Sequence, residues 1–135
     1  MSLCKTGLIV PLGLLLAAAS FAPAPPEKAV AVSPVAEARY LAAVKQYEET
    51  WAYYRQARFD SYQVYVWSRL VLDSRRALAL KPAEHVEAFE DHLDRMKKLE
   101  ELVKKVRRLG FGRSYDVGAT EYYRLEGEAW LEQAR

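Results

Sequence analysis

The chain has 135 residues and a formal net charge of +2, with twenty basic and eighteen acidic side chains. This near balance disfavours a protein that binds nucleic acid mainly through its overall charge. The only cysteine is Cys4, so neither a disulfide framework nor a cysteine-ligated metal site is expected.

The first nineteen residues have the pattern of an export signal. Lys5 precedes an apolar run at 8–16, and the three alanines at 17–19 suit a signal peptidase. The run contains Pro11 and is shorter than the roughly 20 residues of a spanning helix. Cleavage is favoured over a retained anchor, and we expect an exported protein, periplasmic or secreted. Contact with the membrane is expected to be peripheral only, or through an uncleaved signal.

Residues 20–34 are predicted to form a linker, because alanine and proline dominate them and favour extended backbone. A helical domain is expected over 35–135. Helix one is predicted from about Pro34 to Ala57, where apolar residues recur at steps of three and four. These residues are Tyr40, Val44, Tyr47, Trp51 and Tyr54.

Helix two is predicted to begin after a cap at Asp60 or Ser61, whose side-chain oxygens accept hydrogen bonds from free backbone amides. It is expected to end before the Lys81-Pro82 pair, and Pro82 suits the first turn of a third helix. The apolar face of helix two comprises Val64, Trp67, Val71, Ser74 and Leu78.

Helix three is predicted to be the longest and to end at the Gly-Phe-Gly segment of residues 110–112. Its apolar stripe comprises Val86, Phe89, Leu93, Met96, Val103 and Val106, with Leu99, Leu102 and Leu109 beside it. Ser114 or Asp116 is expected to cap helix four. The apolar surface of helix four comprises Val117, Tyr122, Leu125, Ala129 and Trp130.

A four-residue signature occurs twice, 53 residues apart. The two copies are Ser61-Tyr62-Gln63-Val64 and Ser114-Tyr115-Asp116-Val117, and at the same offset Leu72 and Leu78 fall on Leu125 and Leu131. The repeat predicts two antiparallel helical hairpins, at 35–80 and 82–135. An all-α up-down four-helix bundle or a pair of extended coiled-coil hairpins is expected, because each amphipathic hairpin still exposes apolar surface.

Basic residues are concentrated between Arg95 and Arg113, which is also typical of nucleic-acid or anionic-lipid binding. The hairpin register favours a structural interpretation, because it brings the basic helix level with acidic residues of helix four. The expected pairs are Lys104 with Glu121, Lys98 with Glu126, and Arg95 with Glu128. No nucleic-acid partner is therefore expected.

No catalytic, cofactor-binding or metal-binding residues are predicted. His85 and His92 lie seven residues apart on one helix, about 10 Å along its axis, which is too far to share a metal ion. Carboxylate pairs such as Glu87 with Asp91 lie on charged helix faces and not in a pocket that separates their pKa values. We therefore expect a protein that is not an enzyme.

The stretch from Val106 to Arg135 resembles the returning hairpin of TolC-like outer-membrane efflux proteins. In that family a helix ends at a glycine, a small polar residue and Asp-Val follow, and the next helix carries a seam of alanine and leucine. The matching residues here are Gly110 or Gly112, Ser114, Asp116, Val117, Leu125, Leu131 and Ala134. Helix two is similar, with Phe59 and Asp60 where the glycine would be.

The resemblance implies a small relative of the hairpin module and not a channel, because the family's membrane strands have no counterpart here. The expected function is non-enzymatic contact in the cell envelope, through self-association or a protein partner. The predicted docking tips are Phe59, Asp60, Ser61, Tyr62, Val64, Gly110, Phe111, Gly112, Ser114, Tyr115, Asp116 and Val117. The alternative is a small-ligand-binding helical bundle, because the chain holds nine tyrosines and three tryptophans.

Overall fold

The computed structural model describes residues 31–58 and 60–135, and these residues form four α-helices without a strand. The helices are α1 (Pro34–Arg55), α2 (Ser61–Leu78), α3 (Pro82–Arg108) and α4 (Ser114–Ala134). The all-α prediction is confirmed. The predicted export signal, most of the predicted linker, and Phe59 lie outside the described residues.

Three of the four helix starts agree with the sequence prediction, since α1 begins at Pro34 as expected, and the start of α4 differs. Asp60 caps α2, because its carboxylate accepts a hydrogen bond of 3.1 Å from the backbone amide of Gln63. Pro82 is the first residue of α3. The predicted cap of α4 is wrong, because Arg113 occupies the capping position and makes no side-chain cap there. Ser114 already lies inside the helix, and the carboxylate of Asp116 accepts a hydrogen bond from the other hairpin.

The two hairpin turns begin in the same way. The helix before each turn ends in a Schellman motif. In this motif a residue with positive φ and the residue after it each donate a backbone N–H hydrogen bond to a carbonyl group near the end of the helix. That residue is Ala57 in the first turn, with φ of 58°, and Gly110 in the second, with φ of 84°. The bonds are Ala57 N to Tyr54 O, Arg58 N to Tyr53 O, Gly110 N to Arg107 O, and Phe111 N to Val106 O. Ala57 and Gly110 are 53 residues apart, so Ala57 holds the position of Gly110 in the first copy, whereas Phe59, predicted at a glycine position, matches Gly112.

The two hairpins pack together. Within each hairpin the helices are antiparallel neighbours, and α2 also contacts α3 and α4. A buried apolar cluster contains Val64, Tyr65, Met96, Leu99, Val103 and Tyr123, which come from α2, α3 and α4. From α1, the half-buried rings of Tyr47, Trp51 and Tyr54 pack against this cluster. The bundle therefore has a continuous core, and its two turns lie at the same end.

The predicted apolar surface of α4 is wrong, because the helix buries a neighbouring face and exposes part of the predicted one. Tyr122 and Leu125 are exposed. The buried residues are Thr120, Tyr123, Gly127 and Leu131. The face that carries Gly127 lies close to α3, because an added Cβ atom there would be in van der Waals contact with the Cα of Leu93, at 3.5 Å. Close approach of the two backbones therefore occurs along the face that carries the glycine.

Some repeated positions are not equivalent in their surroundings. Leu72 is buried in α2, whereas its counterpart Leu125 is exposed on α4. The two hairpins therefore share the way in which α1 and α3 end, but not the burial of every repeated residue. None of the four described helices has both the length and the apolar character needed to cross a membrane.

Candidate functional site

The two turns meet at one end of the bundle, through a hydrogen bond between repeated signatures. The hydroxyl group of Ser61 donates to Oδ1 of Asp116 over 2.9 Å. Ser61 is only 1% exposed, whereas its counterpart Ser114 is exposed. The first serine therefore joins the hairpins, and the second remains available to solvent.

We call residues 55–58, 60–62 and 106–117 the tip surface. Three of its four large exposed apolar side chains are aromatic: Phe111 is 69% exposed, Tyr115 58% and Tyr62 54%, and the fourth, Leu109, is 65% exposed. The guanidinium group of Arg113 lies over the Tyr115 ring, 5.6 Å from its centroid. Large exposed aromatic side chains are unfavourable in water and are enriched at protein interfaces.

The predicted tip residues occupy two different environments. The exposed ones are Asp60, Tyr62, Gly110, Phe111, Gly112, Ser114 and Tyr115. Val64 is fully buried in the core, and Val117 is packed against the same cluster. Ser61 and these two valines pack against the core and do not form part of the exposed surface.

A cavity of about 320 Å³ lies between the two turns. Tyr54, Leu102 and Val106 supply apolar walls, and Phe111 and Arg113 lie at the same cavity. Sequence reasoning missed the contributions of Tyr54, Leu102 and Val106, because they come from the ends of α1 and α3. The structure thus adds a concave feature to the tip surface.

The tip surface is strongly basic. Residues 55–58, 60–62 and 106–117 contain five arginines and two aspartates, which gives a net charge of +3. All five arginines are exposed, and so is Asp60, whereas Asp116 is partly covered and accepts the hydrogen bond from Ser61. The arginines are Arg55, Arg58, Arg107, Arg108 and Arg113. The potential outside this surface is therefore positive.

The basic character of α3 is balanced differently from the sequence prediction. Glu100 is only 5% exposed and accepts hydrogen bonds of 2.7 Å from both Lys104 and Arg124. Glu128 pairs with Arg124 and not with the predicted Arg95. The predicted pairing of α3 cations with α4 carboxylates is therefore wrong at these residues, because α4 presents a cation to a buried carboxylate of α3.

A second unforeseen feature is a polar cluster inside the bundle. Nε of Arg95 donates to Oγ of Ser68 over 2.8 Å, and the same oxygen lies 2.9 Å from Nδ1 of His92. Because a guanidinium group only donates, we assign the serine hydroxyl as the donor to Nδ1. His92 then carries its proton on Nε2, for which no partner is found among the described residues.

The surroundings keep His92 neutral. Burial, reinforced by the positive charge of Arg95, lowers its pKa to about 4. The Ser68 hydroxyl group lies within hydrogen-bond distance of His92 Nδ1, as a nucleophile does of its general base. Both are fully buried, so a substrate atom has no path to the hydroxyl group in this conformation. The cluster joins α2 to α3 in the interior of the bundle.

A pair of stacked rings also joins the two hairpins. The rings of Tyr65 and Tyr123 are 4.0 Å apart and 10° from parallel. The Tyr65 hydroxyl donates to the carboxylate of Glu126 on α4. Burial, followed by the hydrogen bond to Glu126, raises the pKa of Tyr65 to about 12. These contacts fix the position of α2 relative to α4.

Within residues 31–58 and 60–135, no three His, Cys, Asp or Glu side chains are grouped so that they could hold a metal ion. Comparison with protein-family models, curated proteins and solved structures finds no match for this chain.

Proposed function

We propose that the chain is an exported, non-enzymatic binding module whose tip surface docks an acidic segment of a partner protein in the cell envelope. The observation that carries the proposal is the meeting of the two turns. The turns carry exposed aromatic side chains, and one of them, Phe111, lines a cavity of about 320 Å³. A surface with rigid aromatic residues beside a pocket is typical of the energetic centre of an interface.

The chemistry of the partner follows from this surface. The cavity walls of Leu102 and Val106 suit one large apolar side chain of the partner, which would also contact Phe111. The surrounding arginines attract carboxylates and speed the encounter of the two proteins. Two copies of this surface repel each other, because each carries a net charge of +3. The charge therefore supports an acidic partner over tip-to-tip self-association.

The proposals of export and of docking rest on separate observations. The resemblance to the hairpin module of TolC-like proteins supports contact through hairpin tips. Export rests on the pattern of residues 1–19 alone. Fractionation of cells that express the full chain tests export directly, and recovery in the cytoplasm would contradict it.

Site-specific photocrosslinking in cells tests the docking surface. A photoreactive amino acid is placed at Phe111 or Tyr115, and at Val35 as the control. Val35 is 77% exposed but lies at the opposite end of α1. We expect the tip positions, and not Val35, to form an adduct with one acidic protein. Adducts of equal yield at Val35, adducts with a second copy, or none at the tip would overturn the proposal.

Purified components then test the chemistry. Phe111→Ser and Arg113→Gln are each expected to weaken binding of the crosslinked partner by about tenfold or more. Leu125→Ser is the control, because Leu125 is exposed on α4 away from the turns. Equal losses for Leu125→Ser and Phe111→Ser would show that the tip surface has no special role.

A further inference from the structure

A larger cleft lies at the other end of the bundle, between α2, α3 and α4. Its volume is about 690 Å³. Leu72, Phe89 and Trp130 supply apolar walls, and Arg69, Arg76 and His85 supply polar ones. The volume is within the range of about 300–1,000 Å³ that small-molecule sites occupy.

Two arginines are held over aromatic rings at this cleft. The guanidinium carbon of Arg69 lies 4.9 Å from the centroid of the Trp130 ring, and that of Arg76 lies 4.7 Å from the centroid of the Phe89 ring. The two arginines are seven residues apart on α2, which places them on one face about 10 Å apart along the axis. Stacking fixes a guanidinium group and leaves its in-plane N–H groups free to donate.

These arginines are not paired with carboxylates. In the described part of the chain, no carboxylate oxygen lies within 4.0 Å of either guanidinium group. Arg75 on the same helix is different, because it pairs with Glu87 and Asp91. Asp73 is the carboxylate residue among those that line the cleft. Arg69 and Arg76 therefore give the cleft a surplus of positive charge and of hydrogen-bond donors.

We infer that this cleft binds a small organic anion with a flat apolar body, such as an aromatic carboxylate. The anionic group receives paired hydrogen bonds from Arg69 or Arg76, which is the geometry that guanidinium groups favour. The apolar body packs against Leu72, Phe89 and Trp130. This inference is independent of the proposed function, because the tip surface and the cleft are at opposite ends of the bundle.

Calorimetric titration of the full chain with two matched probes tests the inference. The probes are 2-naphthoate and its neutral counterpart 2-naphthamide. We expect saturable binding of one naphthoate per chain, and binding of the amide to be weaker by about tenfold or more. Equal binding of both probes, or no saturable binding of naphthoate up to millimolar concentration, would overturn the inference.

Three variants locate the bound anion. Arg76→Gln is expected to weaken naphthoate binding about tenfold, whereas Asp73→Asn is expected to strengthen it severalfold. Arg75→Gln is the control, since it makes the same change in charge on the same helix outside the cleft, and its affinity is expected to stay within about twofold. A loss with Arg75→Gln equal to that with Arg76→Gln would overturn the inference. Arg76 is preferred to Arg69, whose Nη1 also donates to the Tyr65 hydroxyl over 3.4 Å.

Discussion

The Ser61 hydroxyl group and the Asp116 carboxylate are hydrogen-bonded across the two hairpins, 55 residues apart in the chain. Each belongs to one copy of the repeated signature, so the repeat brings its own two copies into contact. The bond is shielded on the serine side, because Ser61 is almost fully buried. Loss of the hydroxyl therefore leaves a partly covered carboxylate without one of its donors.

Ser61→Ala is expected to lower the free energy of unfolding by about 1–2 kcal/mol, because a hydrogen bond to a charged acceptor is lost. Urea denaturation at pH 7 measures the change. Ser114→Ala is the matched control, since it alters the equivalent but exposed serine, and we expect a change of less than about 0.5 kcal/mol. Equal effects of the two substitutions would show that the contact between the turns adds no stability.

Exchange of alanine and glycine at positions 57 and 110 is expected to change the free energy of unfolding in opposite directions. Ala57→Gly is expected to raise the free energy of unfolding by about 0.5–1 kcal/mol, because it relieves a left-handed backbone. Gly110→Ala is expected to lower it by about 1 kcal/mol, although a Cβ atom there would meet no neighbour within 4 Å. Thermal unfolding of both variants measures these changes.

Gly118→Ala is the control that separates the effect of positive φ from the effect of an added methyl group. Gly118 also has no neighbour within 4 Å of an added Cβ, but it lies inside α4 with ordinary helical geometry. We expect this substitution to stabilise the chain by up to about 1 kcal/mol through higher helix propensity. A loss of stability with Gly118→Ala similar to that with Gly110→Ala would contradict the role of positive φ at Gly110.

His92 predicts that the bundle loses stability in mild acid. Its pKa is about 4 in the folded chain and near 6.5 when exposed, so the unfolded chain takes up a proton first as the pH falls. The contribution of His92 is complete above pH 6.5 and declines towards pH 4, by about 3 kcal/mol in all. Urea denaturation at several pH values between 7 and 4 measures the decline.

The variant His92→Gln is expected to remove most of that pH dependence, because glutamine does not titrate. His85→Gln is the control, since His85 is the only other histidine and lies partly exposed at the cleft. We expect it to keep the slope of the unmodified chain. A slope that persists in His92→Gln would assign the acid sensitivity to the carboxylates instead.

Glu100 and Glu101 are adjacent carboxylates with opposite surroundings. Burial raises the pKa of Glu100, but hydrogen bonds from Lys104 and Arg124 outweigh it and leave the pKa lowered. Glu100→Gln is expected to destabilise the chain by about 2 kcal/mol, because the charge that holds both cations is lost. Glu101→Gln alters an exposed side chain, and its effect is expected to stay below about 0.5 kcal/mol. Similar unfolding free energies for the two variants would contradict the bridging role of Glu100.

The helices could be predicted from sequence because their signals are local. The steps of three and four in α1, the cap at Asp60 and the proline at the start of α3 all depend on nearby residues. The buried face of α4 was not predictable in this way, because Thr120 and Gly127 are not hydrophobic enough to mark it. Their small side chains allow another helix to pack closely, and this requirement becomes visible only in the tertiary structure.

The candidate sites show the same division. The turn residues were found from the repeat, since the copies preserve local turn chemistry. The cavity beside them was missed because Leu102 and Val106 join it only after the hairpins pack. His92 was predicted only not to share a metal ion, and its neutral state depends mainly on burial, which arises only when the helices pack together.

The stacked rings of Tyr65 and Tyr123 give the protein a built-in spectroscopic reporter. One ring belongs to each hairpin, and the centroids are 4.0 Å apart. Each ring current shifts the proton resonances of the other ring, and the shift disappears once the hairpins separate. Nuclear magnetic resonance of these two tyrosines therefore follows docking of one hairpin on the other without an added label.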